Sequence, residues 1–315
     1  MILVILFFLL GFVLITKGAD IFINCIVEIG KRTRISEIVL GATIVSFATT
    51  LPEFTVSMLS SIDGYTTMSL GNAVGSIICN TTLILGLVSI ISPFKVDRES
   101  FLSKTIILLI SVFILFILSI DRKINFMNGV ILLTMFGVYM YVNYTSVKKD
   151  SLNKRAKTIV NTSKKQWIRL VILFTIGISM MVIGSKLLVN NGVLIAEYIG
   201  IPQGIISLTV IALGTSLPEL VSSLTAIRKN HHAISVGNVL GANTLNILSV
   251  IGASSLVNDI PILSQTMTID FPIMLIALMI LIMPTLKTQK LQRVQGILLL
   301  GVYLFYLGTL YSVYI

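Results

Sequence analysis

The chain has 315 residues, of which 55% are hydrophobic and only 11% charged, with a mean hydropathy of +0.99. Those fractions exclude a soluble globular domain and put the chain in lipid, as an all-α membrane protein with no separate soluble domain left over. The net charge of +10 would suggest nucleic acid in a soluble protein, but here the Lys and Arg residues sit almost wholly in short loops between apolar runs, where they carry topology information. In chain order, the apolar runs divide into ten predicted spans: 2–28, 37–61, 68–92, 103–120, 127–145, 168–196, 203–227, 233–257, 267–284 and 293–313. The run from Met1 to Ile15 has no basic segment ahead of it and no clear cleavage site after it, so it reads as the first span and not a removed signal. Cys25 and Cys79 fall inside apolar segments without metal-ligand spacing and read as buried thiols.

The loops between these spans alternate in charge. Lys31, Arg32, Arg34, Lys95, Arg98, Lys104, the eight basic residues from Lys148 to Arg169, Arg228, Lys229, Lys287, Lys290 and Arg293 make nineteen on one side, against Arg122 and Lys123 on the other. The positive-inside rule then predicts ten spans with both termini extracellular. The stretch 146–166 is polar and basic without apolar periodicity, and reads as a cytoplasmic linker between two halves.

The halves resemble each other. SFATTLPEFTVS (46–57) matches ALGTSLPELVSS (212–223), and SLGNAVGSIICN (69–80) matches SVGNVLGANTLN (235–246), all at one offset of 166 residues. Glu53 thus pairs with Glu219, Pro52 with Pro218, Asn72 with Asn238 and Asn80 with Asn246. Five spans per half is an odd number, so the second half enters the membrane from the opposite side. The expected fold is ten transmembrane helices arranged as two inverted-topology five-helix repeats, 1–145 and 167–315, an architecture of alternating-access carriers with a site at the midplane.

Most acidic residues lie in loops or at span ends, but Glu53 and Glu219 lie in mid-span, where an ionised carboxylate costs at least ~2.5 kcal/mol. Two bases, Lys17 and Lys186, are candidates to neutralise them, and an Asp20–Lys186 pair across the pseudo-two-fold is a separate structural expectation. Pro52 and Pro218, one residue before each glutamate, should break their helices and free the carbonyls of Ala48–Thr50 and Gly214–Ser216. Hydroxyls of Thr49, Thr50, Thr215 and Ser216 add oxygens, and an all-oxygen set points to hard cations. Gly71, Gly75, Gly237 and Gly241 form small-xxx-small patterns suited to close helix packing. Asn80 and Asn246 are placed to offer amide oxygens to the carboxylates. A channel would present a symmetric ring of filter residues, and intramembrane hydrolysis would need a His, Cys or Ser–base set. The two histidines, His231 and His232, lie in a loop.

These motifs, ATTLPE and GTSLPE followed by GNAVGSIICN and GNVLGANTLN, resemble the two alpha-repeats of the cation/calcium exchanger superfamily, over 41–82 and 207–248, and are most similar to prokaryotic sodium/calcium exchangers. The resemblance implies antiport of sodium against calcium, with proton- or potassium-coupled calcium exchange as the alternative. It implies Glu53 and Glu219 as calcium-binding carboxylates, backbone carbonyls of Thr49 and Thr215 as co-ligands, and Ser76, Ser216 and Asn80 as sodium or supporting ligands. Asn246 and the motif-opening Ser46 and Ala212 complete the candidate set. Two departures stand out: Asn246 where archaeal-type exchangers carry Asp, and Ala242 where they carry Ser. Two carboxylates balance one calcium or two sodium ions. No cofactor, nucleic acid or obligatory protein partner is expected; sodium and calcium are the substrates, and the lipid bilayer of the cell membrane is the surrounding.

Overall fold

The computed structural model describes residues 1–33, 35–153, 164–199 and 212–314. The first half comprises α1 (Ile2–Thr33), the pair α2 (Glu37–Thr49) and α3 (Leu51–Ile62), α4 (Thr66–Ile91), α5 (Arg98–Leu118) and α6 (Phe126–Asn153). The second comprises α7 (Lys164–Tyr198), the short α8 (Ala212–Thr215), α9 (Leu217–Arg228), α10 (His232–Val257), α11 (Thr266–Thr288) and α12 (Arg293–Tyr314). Among the described residues eight helices are long and apolar enough to cross a membrane, and α2 with α3 make a ninth, bent by 44°. The expected span 203–227 lies partly outside the described residues and is seen only as α8 and α9.

The bend follows from Pro52, which stands in the first turn of α3 and has no N–H to give to the carbonyl of Ala48. Thr50 N–H still reaches Ser46 O at 2.9 Å, and Phe54 N–H reaches Thr50 O at 3.0 Å, so the chain turns at Thr50 and restarts. Pro218 stands likewise in the first turn of α9, and Leu220 N–H bonds Ser216 O at 3.0 Å.

Burial decides which helices form the centre. Within the membrane stretch 94% of α10 and 72% of α4 is buried, against 22% of α1 and 28% of α7. The two glycine motifs therefore sit on the innermost helices. They do not behave alike: a Cβ on Gly241 would lie 2.7 Å from Ala42 Cα, and one on Gly237 would lie 3.0 Å from Ala42 N, so α10 crosses α2 backbone to backbone. Gly71 and Gly75 have nothing within 4 Å among the described residues. At the repeat offset their counterpart of the α2 contact falls on 204–208, outside the described residues.

The peripheral α1 and α7 are packed antiparallel through glycines, Gly11 against Gly184 and Gly18 against Gly177, each with an added Cβ placed 2.8 Å from the facing carbonyl. Two short antiparallel strand pairs close the ends: Phe94–Lys95 with Lys290–Leu291, and Lys123–Ile124 with Ile260–Pro261.

Several expected details change. Asp20 does not pair with Lys186; its carboxylate takes Arg228 and, at 3.2 Å, Lys229, because α1 lies along α9 while Lys186 is exposed. Lys104, counted above with the loop cations, is 3% exposed and donates to Asn143 Oδ1 at 2.6 Å. The stretch 146–166 is not wholly irregular: α6 continues to Asn153 and α7 begins at Lys164. Helices already nucleated in apolar sequence propagate readily through Lys and Ser. Cys25 and Cys79 are free and buried, as expected.

Candidate functional site

Glu53 and Glu219 are the third residues of α3 and α9, each just after the proline that breaks its span, and each is 0% exposed. That position puts each carboxylate at a helix N-terminus, whose free N–H groups favour negative charge. Lys17 and Lys186 are both exposed, and among the described residues no ion pair reaches either glutamate. Neutralisation by an intramembrane base is therefore not how these acids are accommodated.

The two carboxyls are neighbours, and each is approached by the helix-capping residue of the opposite half. Thr50 Oγ1 donates to Glu219 Oε1 at 3.5 Å, the outer limit of a hydrogen bond. Ser216, which occupies the equivalent position, lies beside Glu53 without meeting hydrogen-bond geometry. Both Glu53 oxygens, Glu219 Oε2, Ser76 Oγ, Ser216 Oγ, Asn80 Oδ1 and both amide atoms of Asn246 are buried without a partner. Buried polar atoms are ordinarily satisfied, and each orphan carries a cost of about 1–3 kcal/mol. So many on residues from both halves make a buried polar cluster suited to positive charge. Among the described residues no group of three or more His, Cys, Asp or Glu occurs, so the donors are two carboxylates, amides, hydroxyls and carbonyls, which suit hard cations.

Other expected ligands take different parts. The hydroxyl of Thr49 donates to Asn238 Oδ1 at 3.1 Å, and that of Thr215 to Asn72 Oδ1 at 3.2 Å. These hydroxyls tie one half to the other, and each oxygen keeps its lone pairs after donating its proton, beside the carbonyls of the same residues. Asn72 Nδ2 in turn donates to Ser57 Oγ at 3.0 Å and to Glu53 O at 3.3 Å, and Asn238 Nδ2 donates to Ser222 Oγ at 3.1 Å. Ser46 is buried, donates to Thr43 O at 3.2 Å and fills the α2–α10 crossing beside Gly241. Ala212 opens α8; the burial of its side chain lies outside the described residues.

The sequence reading missed some features. Asn80 and Asn246 each open a π-helical turn, Asn80–Ile84 and Asn246–Ile251, and a third such turn, Gly41–Val45, precedes Ser46. Irregular turns of this kind concentrate at functional sites. Asp270, a third buried acid at 5% exposure, accepts from Tyr306 Oη at 3.1 Å and Gln265 Nε2 at 3.4 Å. It lines a cavity of about 400 Å³ that runs from Thr67 and Leu263 past Asn72 and Gly75 to Cys79. Asp270 stands at the repeat position of Lys104, a pairing with no similarity of residue type to reveal it.

The fold and site thus define a polytopic helical membrane protein with a buried pair of carboxylates that has no basic partner among the described residues. The chain belongs to the sodium/calcium exchanger protein family, whose model matches residues 3–145 and 169–312. It is 32% identical to the membrane protein MJ0091 of Methanocaldococcus jannaschii, with 96% of this chain and 97% of the relative covered. It is 27% identical to the sodium/calcium exchanger MaX1 of Methanosarcina acetivorans, covering 98% of each. Its structure is similar to that of the sodium-calcium exchanger NCX_Mj, at 31% identity with a TM-score of 0.86, covering 98% of this chain and 99% of the other.

Proposed function

We propose that this chain is a secondary active antiporter that exchanges sodium for calcium at one site, exposed alternately to the two faces of the membrane. The observation that carries the reading is the Glu53–Glu219 pair, fully buried, unmatched by any basic side chain among the described residues and surrounded by orphan oxygens. The carbonyls of Thr49 and Thr215, the hydroxyls of Thr50, Ser76 and Ser216 and the amides of Asn80 and Asn246 complete the cation's surroundings, with Ser46 and Ala212 opening the motifs that carry them. Relatives and structural neighbours named as sodium/calcium exchangers support the choice of ions.

The ten-helix inverted repeat, with halves 1–145 and 167–315 joined by 146–166, belongs to this proposal. At the offset of 166, Gly11 corresponds to Gly177 and Gly18 to Gly184, so the two glycine contacts of α1 and α7 exchange under a two-fold. Phe94 corresponds to Ile260 and Ile124 to Lys290, so the two strand pairs exchange as well. The bonds Thr49–Asn238 and Thr215–Asn72 are a third exchanging set. These correspondences support a pseudo-two-fold through the site, and the one-sided distribution of Lys and Arg supports extracellular termini with 146–166 in the cytoplasm.

Mechanistically, two carboxylates in a site of low polarity favour a charge of two: one calcium or two sodium ions restores neutrality, and the empty site is left with two unscreened charges. Moving between faces without a cation is thus disfavoured, which couples the ions. The test is uptake of radioactive calcium into sodium-loaded liposomes diluted into sodium-free buffer, with Glu53→Gln, Glu219→Gln, pH-gradient and potassium controls. Uptake that needs internal sodium and vanishes in both variants is expected. Uptake that follows the proton gradient, or that survives both substitutions, would overturn the assignment.

A further inference from the structure

Asp20 joins α1 to the last turn of α9 through two bases. Its carboxylate takes Arg228 and, at 3.2 Å, Lys229. Lys229 Nζ also donates to Asn24 Oδ1 at 2.9 Å, one turn further along α1. Applied to these residues, the repeat offset of 166 yields a second set at the opposite end of the molecule with its charges exchanged: Asp20 corresponds to Lys186, Lys229 to Asp63 and Asn24 to Asn190. Because both charged positions are reversed, the second pair is as complementary as the first. The asparagine suits either version, since a carboxamide offers its oxygen to an ammonium group and its NH₂ to a carboxylate. Arg228 corresponds to Ile62, so the second set has one ion pair where the first has two.

The backbone places Asp63 and Lys229 alike. Each follows the last residue of its helix, α3 or α9. Each is succeeded by a left-handed residue, Gly64 at φ 85° and Asn230 at φ 62°. The next N–H then returns to the helix, Tyr65 to Ser60 O at 2.7 Å and His231 to Ala226 O at 2.8 Å. What differs is the packing. Whereas α1 lies along α9, among the described residues α7 has no comparable packing along α3. Lys186, Asp63 and Asn190 are all exposed, and none has a side-chain hydrogen bond or ion pair among the described residues. Asp259, another acid in a loop of the Asp63 end, is already taken by Lys123 at 2.5 Å.

We infer that Lys186 and Asp63 form the second of two alternating latches. In an inverted repeat, exchanging the arrangements of the halves generates the conformation open to the other face. The conformation described here has the Asp20 latch closed and the Lys186 latch open. In the opposite conformation α7 closes along α3, Lys186 meets Asp63 with Asn190 donating beside it, and Asp20 parts from Lys229. The inference rests on the alternating exposure proposed above.

The test uses the full-length protein in liposomes with sodium and calcium on both sides, so that both conformations are visited. A water-soluble carbodiimide joins a carboxylate to an amine in contact with it, forming an amide bond with loss of water, and mass spectrometry reads the products. Both the Asp20–Lys229 and the Asp63–Lys186 products are expected. Formation of the first without the second would overturn the latch. Partly exposed ion pairs move an equilibrium only a few-fold, so Lys186→Asp alone and Asp63→Lys alone, each setting like charges face to face, should lower maximal sodium-dependent calcium uptake about threefold with unchanged melting temperature. The double variant Lys186→Asp/Asp63→Lys restores the pair with its charges exchanged and should return to within about 1.5-fold of wild type. A double variant no better than the single ones would also overturn the latch. Cross-linking of both pairs in a wild type without sodium-dependent uptake would instead overturn the exchange reading and leave the latch standing.

Discussion

Replacing Gly241 by alanine probes the backbone contact that seats α2 against the site. A Cβ at this position would lie 2.7 Å from Ala42 Cα, 2.8 Å from Ala42 O and 2.5 Å from Ser46 Oγ. Carbon contacts are comfortable at about 3.5–4.0 Å, so α2 and α10 must separate by roughly 1 Å, and the atoms in the way are mostly backbone, which cannot rotate aside. Overpacking of this size costs about 1–3 kcal/mol, and it displaces Ser46–Thr49, the segment leading to the site. Gly301→Ala, on the exposed face of α12, is the control, because the glycine has nothing within 4 Å among the described residues. There the helix propensity of alanine should stabilise by up to about 1 kcal/mol. Melting of the two purified variants in detergent, followed by calcium uptake in liposomes, should place Gly241→Ala several degrees below wild type with reduced uptake, and Gly301→Ala at or above wild type in melting. Equal melting temperatures for the two variants would refute the claim that α2 and α10 meet backbone to backbone.

Thr49→Val removes the hydroxyl that reaches Asn238 while leaving the Thr49 carbonyl in place. It should cost about 1 kcal/mol of thermal stability and keep sodium-dependent uptake, whereas a complete loss of uptake would mean the hydroxyl is itself a ligand. Asp20→Asn weakens the contact of α1 with Arg228 and Lys229; because these groups are partly exposed, the expected destabilisation is at most about 1 kcal/mol, and less at high salt by melting in titrated sodium chloride. Asp97 caps α5 by accepting from Ser100 N at 2.9 Å, and the Ser100 side-chain and backbone bonds hold its carboxyl below the ordinary value. Its stabilising contribution, about 1 kcal/mol for such a cap, is thus complete above the ordinary carboxylate pKa of about 3.9 and lost as pH falls through the lowered folded value. Asp97→Ala should melt lower than wild type at neutral pH, with the difference closing in acid; a gap that persists at low pH would refute the capping role.

The linear sequence determined much of this protein. Its apolar runs have to cross lipid, since no other solvent accepts them, and prolines beside mid-span acids have to break those helices. The offset of 166 residues pairs every motif residue and so identified Glu53 and Glu219 before any coordinate. Local and repeat-related features are legible because they depend on neighbours along the chain or on similarity between halves. What sequence left open depends on contacts between distant residues of unlike type. Asn243 touches Asn80 across 163 residues, and its repeat counterpart Ile77 gives no hint of the contact. The repeat offered Lys186 as the partner of Asp20, and only the packing of α1 along α9 gave it Arg228 and Lys229 instead. Nor does sequence say what the motif glycines press on; the structure sets Gly237 and Gly241 against the backbone of α2. Likewise only the tertiary structure brings the hydroxyls of Thr49 and Thr215 to the asparagines of the opposite half. Composition and periodicity fix which residues are buried. Which buried polar atom finds a partner, and which is left without one, is decided only when the helices meet.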